Sequence, residues 1–315
     1  MNEKILIFGN GQIGNFYQNY FTEKGLPCRI AQADITHISQ IEAEIANFNP
    51  TVVINTAAIT NLEQCSADKL NSFNVNVLGA DNIARICDEK NIYFIHFSSG
   101  CIFQSQNETD IKKEEDIPQP AAYYSWTKIW AENLIQFNKS KSFKYLILRP
   151  RQPISGEVNH KNMLIKMLTF INFVDTPNTG TVIEDLMDWT FALIARKYTG
   201  VLHVANSGWS TPYRIGLLLK KHILPSLEVN KISKEELDKT TPNRRVDTIL
   251  DVSKLESLGI KVPSYEHRLE EIIMKLAKNI QTMKKPQLAQ VLETTLEASK
   301  QRTFVNSCWQ DLIKN

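Results

Sequence analysis

Lys4-Ile5-Leu6-Ile7-Phe8-Gly9-Asn10-Gly11-Gln12-Ile13-Gly14 decides the fold of this 315-residue chain. A short β-rich run ends in a Gly-rich turn, and a helical pattern follows through about Lys24. Strand, turn and helix in that order open a βαβ unit. Gly9, Gly11 and Gly14, with Gln12 and Ile13 between them, fit the spacing GxGxxG. In that spacing, backbone N–H groups approach a pyrophosphate at the helix N-terminus. A ligand-free bend would also tolerate glycine, but its place at the first strand-to-helix turn points to a dinucleotide.

The alternation continues outward from this turn. Residues 28–31 and 51–55 read as strands, 38–48 as a helix, and 68–89 as one long helix. Residues 92–97 and 145–148 are further strands separated by a helix over 122–138, and Pro150 stops the last one. The pattern predicts an α/β fold of Rossmann type, a doubly wound parallel sheet covered on both faces. Beyond Pro150 the rhythm loosens into helices over 162–173 and 185–197, a strand over 200–204, and helices near Pro212 and Ser264. Residues 1–150 are expected to form the dinucleotide-binding domain, with parts of 175–210 returning to it. Residues 151–279 would form a smaller α/β substrate-binding region closing a cleft at the carboxyl ends of the strands. Residues 280–315 read as a C-terminal helical extension. Its amphipathic Leu288, Val291, Leu292 and Leu296 would pack on this chain or on a neighbouring subunit.

Bulk properties narrow the function. The chain is 43% hydrophobic and 22% charged, the balance of an ordinary globular protein. A net charge of +2 offers no field to collect nucleic acid or an anionic membrane, so an anionic ligand needs a local site. No apolar run approaches the roughly 18 residues of a membrane span, and no signal-peptide pattern opens the chain. Five scattered cysteines without CxxC spacing argue against a disulfide framework or a zinc site, and no metal is expected. These features predict a cytoplasmic protein.

For the cofactor, Ala57 and Ala58 follow the third strand, and Asp34 and Ile35 follow the second, where they would touch the adenine. No acidic residue closes the second strand to hold ribose hydroxyls. Arg29 lies near that place, and a guanidinium there favours a 2′-phosphate, tilting the choice between NADPH and NADH toward NADPH. For the chemistry, Tyr124 and Lys128 lie four apart on one helix face. An ammonium beside the phenol is expected to lower the tyrosine pKa and make it a usable proton donor. Ser99 follows a strand end, where its hydroxyl could bond a substrate carbonyl while a nicotinamide delivers hydride.

GxGxxG, Ser99, and Tyr124-Ser125-Trp126-Thr127-Lys128, in that order, resemble the extended short-chain dehydrogenase/reductase family over about residues 4–273. Tyr124 and Lys128 are expected to bind the cofactor as well, and Asn76 matches the family position that supports the active-site lysine. Ser98-Ser99-Gly100-Cys101-Ile102-Phe103 carries Gly100 where sugar-nucleotide dehydratases and simple dTDP-4-dehydrorhamnose reductases have an acid, so a 4,6-dehydratase is not expected. The segment is similar instead to bifunctional nucleotide-rhamnose synthase 3,5-epimerase/4-reductases and, more distantly, to GDP-fucose synthase. Lys113-Glu114-Glu115-Asp116-Ile117-Pro118, Leu148-Arg149-Pro150-Arg151-Gln152-Pro153-Ile154-Ser155 and Asn162-Met163-Leu164-Ile165-Lys166 carry the same resemblance.

That resemblance implies Cys101 and Lys166 as the epimerisation acid and base, and Asn162 beside the substrate. It places Arg244 and Arg245 in a substrate loop, where guanidinium forks suit a diphosphate. The implied activity is reduction at C4 of a nucleoside-diphosphate 4-keto-6-deoxyhexose, with epimerisation at C3, C5 or both, by a homodimer. Two alternatives stand beside it: a 4-reductase without epimerase activity, and a non-catalytic regulatory subunit that keeps the dinucleotide fold.

Overall fold

Six strands form one parallel sheet: β1 (Ile5–Phe8), β2 (Cys28–Ile30), β3 (Val52–Asn55), β4 (Tyr93–Phe97), β5 (Tyr145–Arg149) and β6 (Gly200–His203). Their spatial order is β2-β1-β3-β4-β5-β6. The structure, a computed structural model, describes residues 2–241, 243–297 and 308–314. The α/β, doubly wound architecture is the one expected from the alternation of strands and helices.

The strands are apolar at nearly every position because both faces are covered. Ile5 and Ile7 of β1 join Tyr17, Phe21, Leu186 and Trp189 on one face, beneath helices Gln12–Glu23 and Ile183–Ala195. Leu6 and Phe8 point the other way, toward Ile41, Ile45, Ile83 and Ile135 on helices Ile38–Phe48, Ala80–Glu89 and Tyr123–Phe137. A buried ion pair locks the last of these helices to β5. Arg149 Nε donates to Glu132 Oε1 at 2.9 Å and Nη2 to Oε2 at 2.6 Å. The paired geometry satisfies charges that would be costly to bury singly.

Two elements depart from the expectation. The long helix is interrupted: Lys69–Phe73 passes through a π-helical turn, Asn74–Gly79, into Ala80–Glu89. Gly79 there lies against Ile35, where a Cβ would come within 2.6 Å of Ile35 Cγ1. The helix expected over 162–173 is only Met163–Met167. Thr169 turns the chain by bonding Lys166 O through both its N–H and its hydroxyl, and Asn172–Val174 then pairs in parallel with Asn230–Ile232.

A second core lies beyond the sheet, built from Leu164, Ile165, Phe173, Ile215, Leu219, Tyr265, Leu269 and Ile273. Helices Pro212–His222 and Tyr265–Thr282 supply most of it. Leu288 and Leu292 of helix Lys285–Glu297 are buried in the same core, with Val291 at its edge, so this part of the extension packs on its own chain. Residues 298–307 and 315 of the expected extension lie outside the described residues. Among the described residues, no helix is long and apolar enough to cross a membrane, and no cluster of three His, Cys, Asp or Glu side chains could hold a metal.

Candidate active site

The chain leaves β1 toward β2 on one side and toward β3 on the other, so the sheet order reverses between β1 and β3. In a doubly wound sheet the ligand crevice lies at such a reversal, at the carboxyl ends of the strands. Gly9 enters the crevice with φ 113°, a conformation glycine adopts without penalty. A Cβ on Gly9 would lie 2.5 Å from Ala57 N, and one on Gly14 would lie 2.0 Å from Gly9 O. Gly11 is different, with nothing within 4 Å of its Cβ position. The helix that follows has no side-chain cap and no acid in its first turn, so its N-terminal dipole faces the opening unmatched. The Gln12 amide Nε2 is buried with no partner among the described residues. Open space, helix dipole and an orphaned donor fit a dinucleotide pyrophosphate.

The surrounding cofactor candidates divide. The Ala57 N–H is held by Asn55 Oδ1 at 3.0 Å, and Ala58 follows half-buried at the strand end. Asp34 is exposed and accepts from the Thr36 N–H and hydroxyl, which hold its carboxyl below the usual range. Ile35 is 5% exposed and belongs to the core under the sheet. Arg29 pairs with Glu44 at 2.7 Å and its guanidinium lies over the Phe48 ring, so its charge is already matched. With that pair in place, Arg29 is not the unmatched cation that a preference for NADPH over NADH would need.

Ser99, Tyr124 and Lys128 converge as expected. The Ser99 hydroxyl and the Tyr124 phenol line the same cavity, and the hydroxyl favours ionisation of the phenol. Lys128 Nζ lies 5.7 Å from the Tyr124 ring centroid and donates to Phe97 O at 2.8 Å. The electrostatics run opposite to the expectation. Burial, with the Cys101 and Cys65 thiols beside it, pushes Tyr124 well above the usual phenol value. Burial also pushes Lys128 down to about 8, because removing an ammonium from water disfavours its charge. Asn76 does not reach Lys128 directly. It bridges both backbone groups of Ile59 and donates to Thr127 Oγ1 at 3.1 Å, one residue before the lysine.

Ser99 and Tyr124 border a cavity of about 440 Å³ between the sheet and the second core, a size suited to a small ligand. Ser99, Cys101 and Tyr124 line it from the sheet side; Lys166, Phe170 and Phe173 line it from the other; Arg244 and Arg245 stand at one edge. Arg245 is tied to Glu63 at 2.6 Å, whereas Arg244 is mostly exposed, 3.8 Å from Asp238. Asn162 does not line the cavity. It caps helix Met163–Met167, accepting from Leu164 N and donating to Ser155 O and Glu157 O, so the side chain is spent on local structure. Ser125, by contrast, is a cavity residue that no motif spacing singles out. Its hydroxyl bonds Cys101 O at 2.9 Å and Cys101 Sγ at 3.3 Å. Arg151 and Gln152 also line the cavity, and Gln152 holds a strained φ of 42°. The outlying φ leaves no trace in residue type.

A doubly wound sheet with a glycine turn at its switch point and a Ser, Tyr, Lys cluster above its strands defines a Rossmann-type protein of the short-chain dehydrogenase/reductase class. More closely, the chain belongs to the family described as the RmlD substrate binding domain, which it matches over residues 3–278. It is 28% identical over 265 residues to a bifunctional dTDP-4-dehydrorhamnose 3,5-epimerase/dTDP-4-dehydrorhamnose reductase of Arabidopsis thaliana, covering 80% of this chain and 86% of that protein. A trifunctional UDP-glucose 4,6-dehydratase/UDP-4-keto-6-deoxy-D-glucose 3,5-epimerase/UDP-4-keto-L-rhamnose-reductase of the same plant is also 28% identical. That match covers 82% of this chain and 40% of the longer protein. Among solved structures, the L780 UDP-rhamnose synthase of Acanthamoeba polyphaga mimivirus superposes with a TM-score of 0.80 at 26% identity, over 87% of this chain and all of that one. A dTDP-4-dehydrorhamnose reductase of Bacillus anthracis, solved with NADP, shares the fold with a TM-score of 0.76 at 23% identity, over 87% of this chain and all of that one.

Proposed function

We propose that this protein uses NADPH or NADH to reduce a nucleoside-diphosphate 4-keto-6-deoxyhexose at C4, after epimerising it at C3, C5 or both, in the synthesis of a rhamnose-like deoxysugar. The observation that carries this reading is the placement of Ser99, Tyr124, Cys101 and Lys166 around one cavity, with Lys128 behind the phenol.

Gly9, Gly11, Gly14 and Gln12 would hold the cofactor pyrophosphate, and the nicotinamide supplies hydride to C4. Tyr124 hands its proton to the C4 oxygen; its raised pKa keeps that proton in place at neutral pH. Ser99, lining the same cavity as the phenol, orients the carbonyl. Lys128, charged below about 8, offers an ammonium beside the phenol. The C4 ketone acidifies the hydrogens at C3 and C5. Cys101 on one wall and Lys166 on the opposite wall are suited to remove and return a proton with inversion. Arg244 and Arg245 supply cations for the diphosphate at the cavity edge.

The test is turnover of a dTDP- or UDP-linked 4-keto-6-deoxyhexose in D₂O. Stoichiometric NADPH consumption and deuterium at C3, C5 or both in the product are expected. Reduction without deuterium would overturn the epimerase half, and absence of NADPH consumption the reductase half. Tyr124→Phe should slow reduction by about 10²- to 10⁴-fold with cofactor binding retained. Cys101→Ser should abolish deuterium incorporation and leave reduction of an already epimerised substrate in place.

A further inference from the structure

Arg151 has no role in the scheme above, yet it is one of the most deeply placed charges in the molecule. The Gly100 N–H donates to Pro150 O at 2.9 Å, tying the turn after β5 to the turn that carries Ser99 and Cys101. The Arg151 N–H donates to Thr181 Oγ1 at 2.9 Å, and its Nη2 donates to Asn178 Oδ1 at 2.6 Å and Val246 O at 2.5 Å. The residue is 8% exposed, it borders the cavity, and its Nε is buried with no partner among the described residues.

Among the described residues, no carboxylate forms an ion pair with it. The titratable groups around it are Cys101, Asp247, Tyr265 and Tyr124. Asp247 is spent elsewhere, accepting from Asn178 Nδ2 at 2.9 Å and pairing with Lys234 at 3.2 Å. A guanidinium buried without an ion-pair partner is costly unless negative charge develops beside it during function. Around the phenol, Cys101 and Cys65 oppose ionisation, while Ser99 and Arg151 favour it.

We propose that Arg151 is a positioning residue whose charge favours negative charge on the Tyr124 oxygen and on the neighbouring sugar oxygen at C4. The proposal rests on the reductase reading of Ser99, Tyr124 and Lys128. In the epimerisation step, the C–H bond at C3 or C5 breaks and the proton passes to Cys101 or Lys166. The electron pair forms a carbon–carbon double bond to C4, and the C4 oxygen takes the negative charge until a proton returns from the opposite face. Arg151 enters here because the enolate oxygen is where negative charge develops during the step.

The experiment compares wild type, Arg151→Gln and Arg151→Lys as full chains. It reads deuterium incorporation, forward reduction, NADPH affinity, and the pH profile of product oxidation with NADP⁺, which needs the phenolate. Arg151→Gln should lower incorporation by about 100-fold and reduction by about tenfold, with NADPH affinity within about twofold. The acid limb of the oxidation profile should move up by about one pH unit, and Arg151→Lys should restore most of each loss. A folded Arg151→Gln with an unmoved limb overturns the proposal, as does an equal loss in Gln and Lys variants without a pH shift, which would mark a purely structural anchor. Where Arg151→Gln does not fold, Asp247→Asn, which removes an opposing charge, should move the limb down; an unmoved limb overturns the proposal. A wild type that neither reduces nor exchanges the sugar overturns the reductase reading together with this proposal. A reducing wild type with an insensitive Arg151→Gln overturns the proposal alone.

Discussion

The turn after β1 and the loop around residues 243–247 approach the ligand region with opposite kinds of construction. The first is backbone fitted to backbone: Gly9 and Gly14 pack where no Cβ would fit, and Gly11 leaves an opening. The second is held by side chains. Ser66 Oγ donates to Asn243 Oδ1 at 2.7 Å, Arg245 pairs with Glu63, and Lys234 Nζ donates to Arg245 O at 2.5 Å. A backbone cradle reads what every dinucleotide shares and tolerates little change. A loop held by exchangeable side-chain bonds can be retuned, and it is where ligand preference can vary while the scaffold stays intact.

The largest expected effect that would break this contrast comes from the glycines. Gly14→Ala sets a methyl group 2.0 Å from Gly9 O, so it should lower stability by about 1–3 kcal/mol and abolish cofactor binding. Gly11→Ala should leave the melting temperature unchanged and weaken NADPH binding by about tenfold or more, because its methyl group occupies ligand space. Calorimetric melting and fluorescence titration separate the two; equal effects at both positions would dissolve the distinction.

A smaller effect is expected from pH. Lys128 is pushed down to about 8 from 10.5, so its ammonium is present below about 8 and lost above. Cofactor affinity should therefore fall as pH rises through 8. Stability should move the other way. Between about 8 and 10.5 the unfolded chain binds more protons at this site than the folded one, so the Lys128 contribution becomes more favourable with rising pH. Binding and denaturation curves across pH 7–10, compared with Lys128→Met, read both slopes. The smallest effect is expected from Glu63→Gln, which releases Arg245. A partly exposed pair of this kind contributes about 0–1 kcal/mol, so stability should hardly change. The KM for the nucleotide sugar should fall by about twofold, and the difference should fade in high salt.

Much of the sheet was legible because each strand and helix carries its own period. Ile5, Ile7, Leu6 and Phe8 already declare two buried faces, and the glycine spacing marks the turn. The meeting of Ser99, Tyr124 and Lys128 was legible because Tyr124 and Lys128 need only one helical turn to meet, and Ser99 only a strand end. What escaped depends on partners distant in sequence. Residues 172–174 form a strand because 230–232 lie beside them, and nothing local announces that pairing. Arg29 resembles a phosphate ligand until Glu44 is brought to it. Asn162 stands at the start of the helix bearing Lys166, where a ligand role and a capping role look alike in one dimension. The direction of the Tyr124 shift follows from burial and from Cys65, which the sequence places 59 residues away.

Helix Lys285–Glu297 packs against Met163–Met167, the single turn and a half that carries Lys166. So short a helix cannot sustain itself and takes its rigidity from whatever lies behind it. Leu288 and Leu292 thus work as a rear brace, lying past the family match that ends at residue 278. An appended segment of this kind can stiffen or relax one wall of a reaction chamber from outside, without altering a single group that faces the ligand.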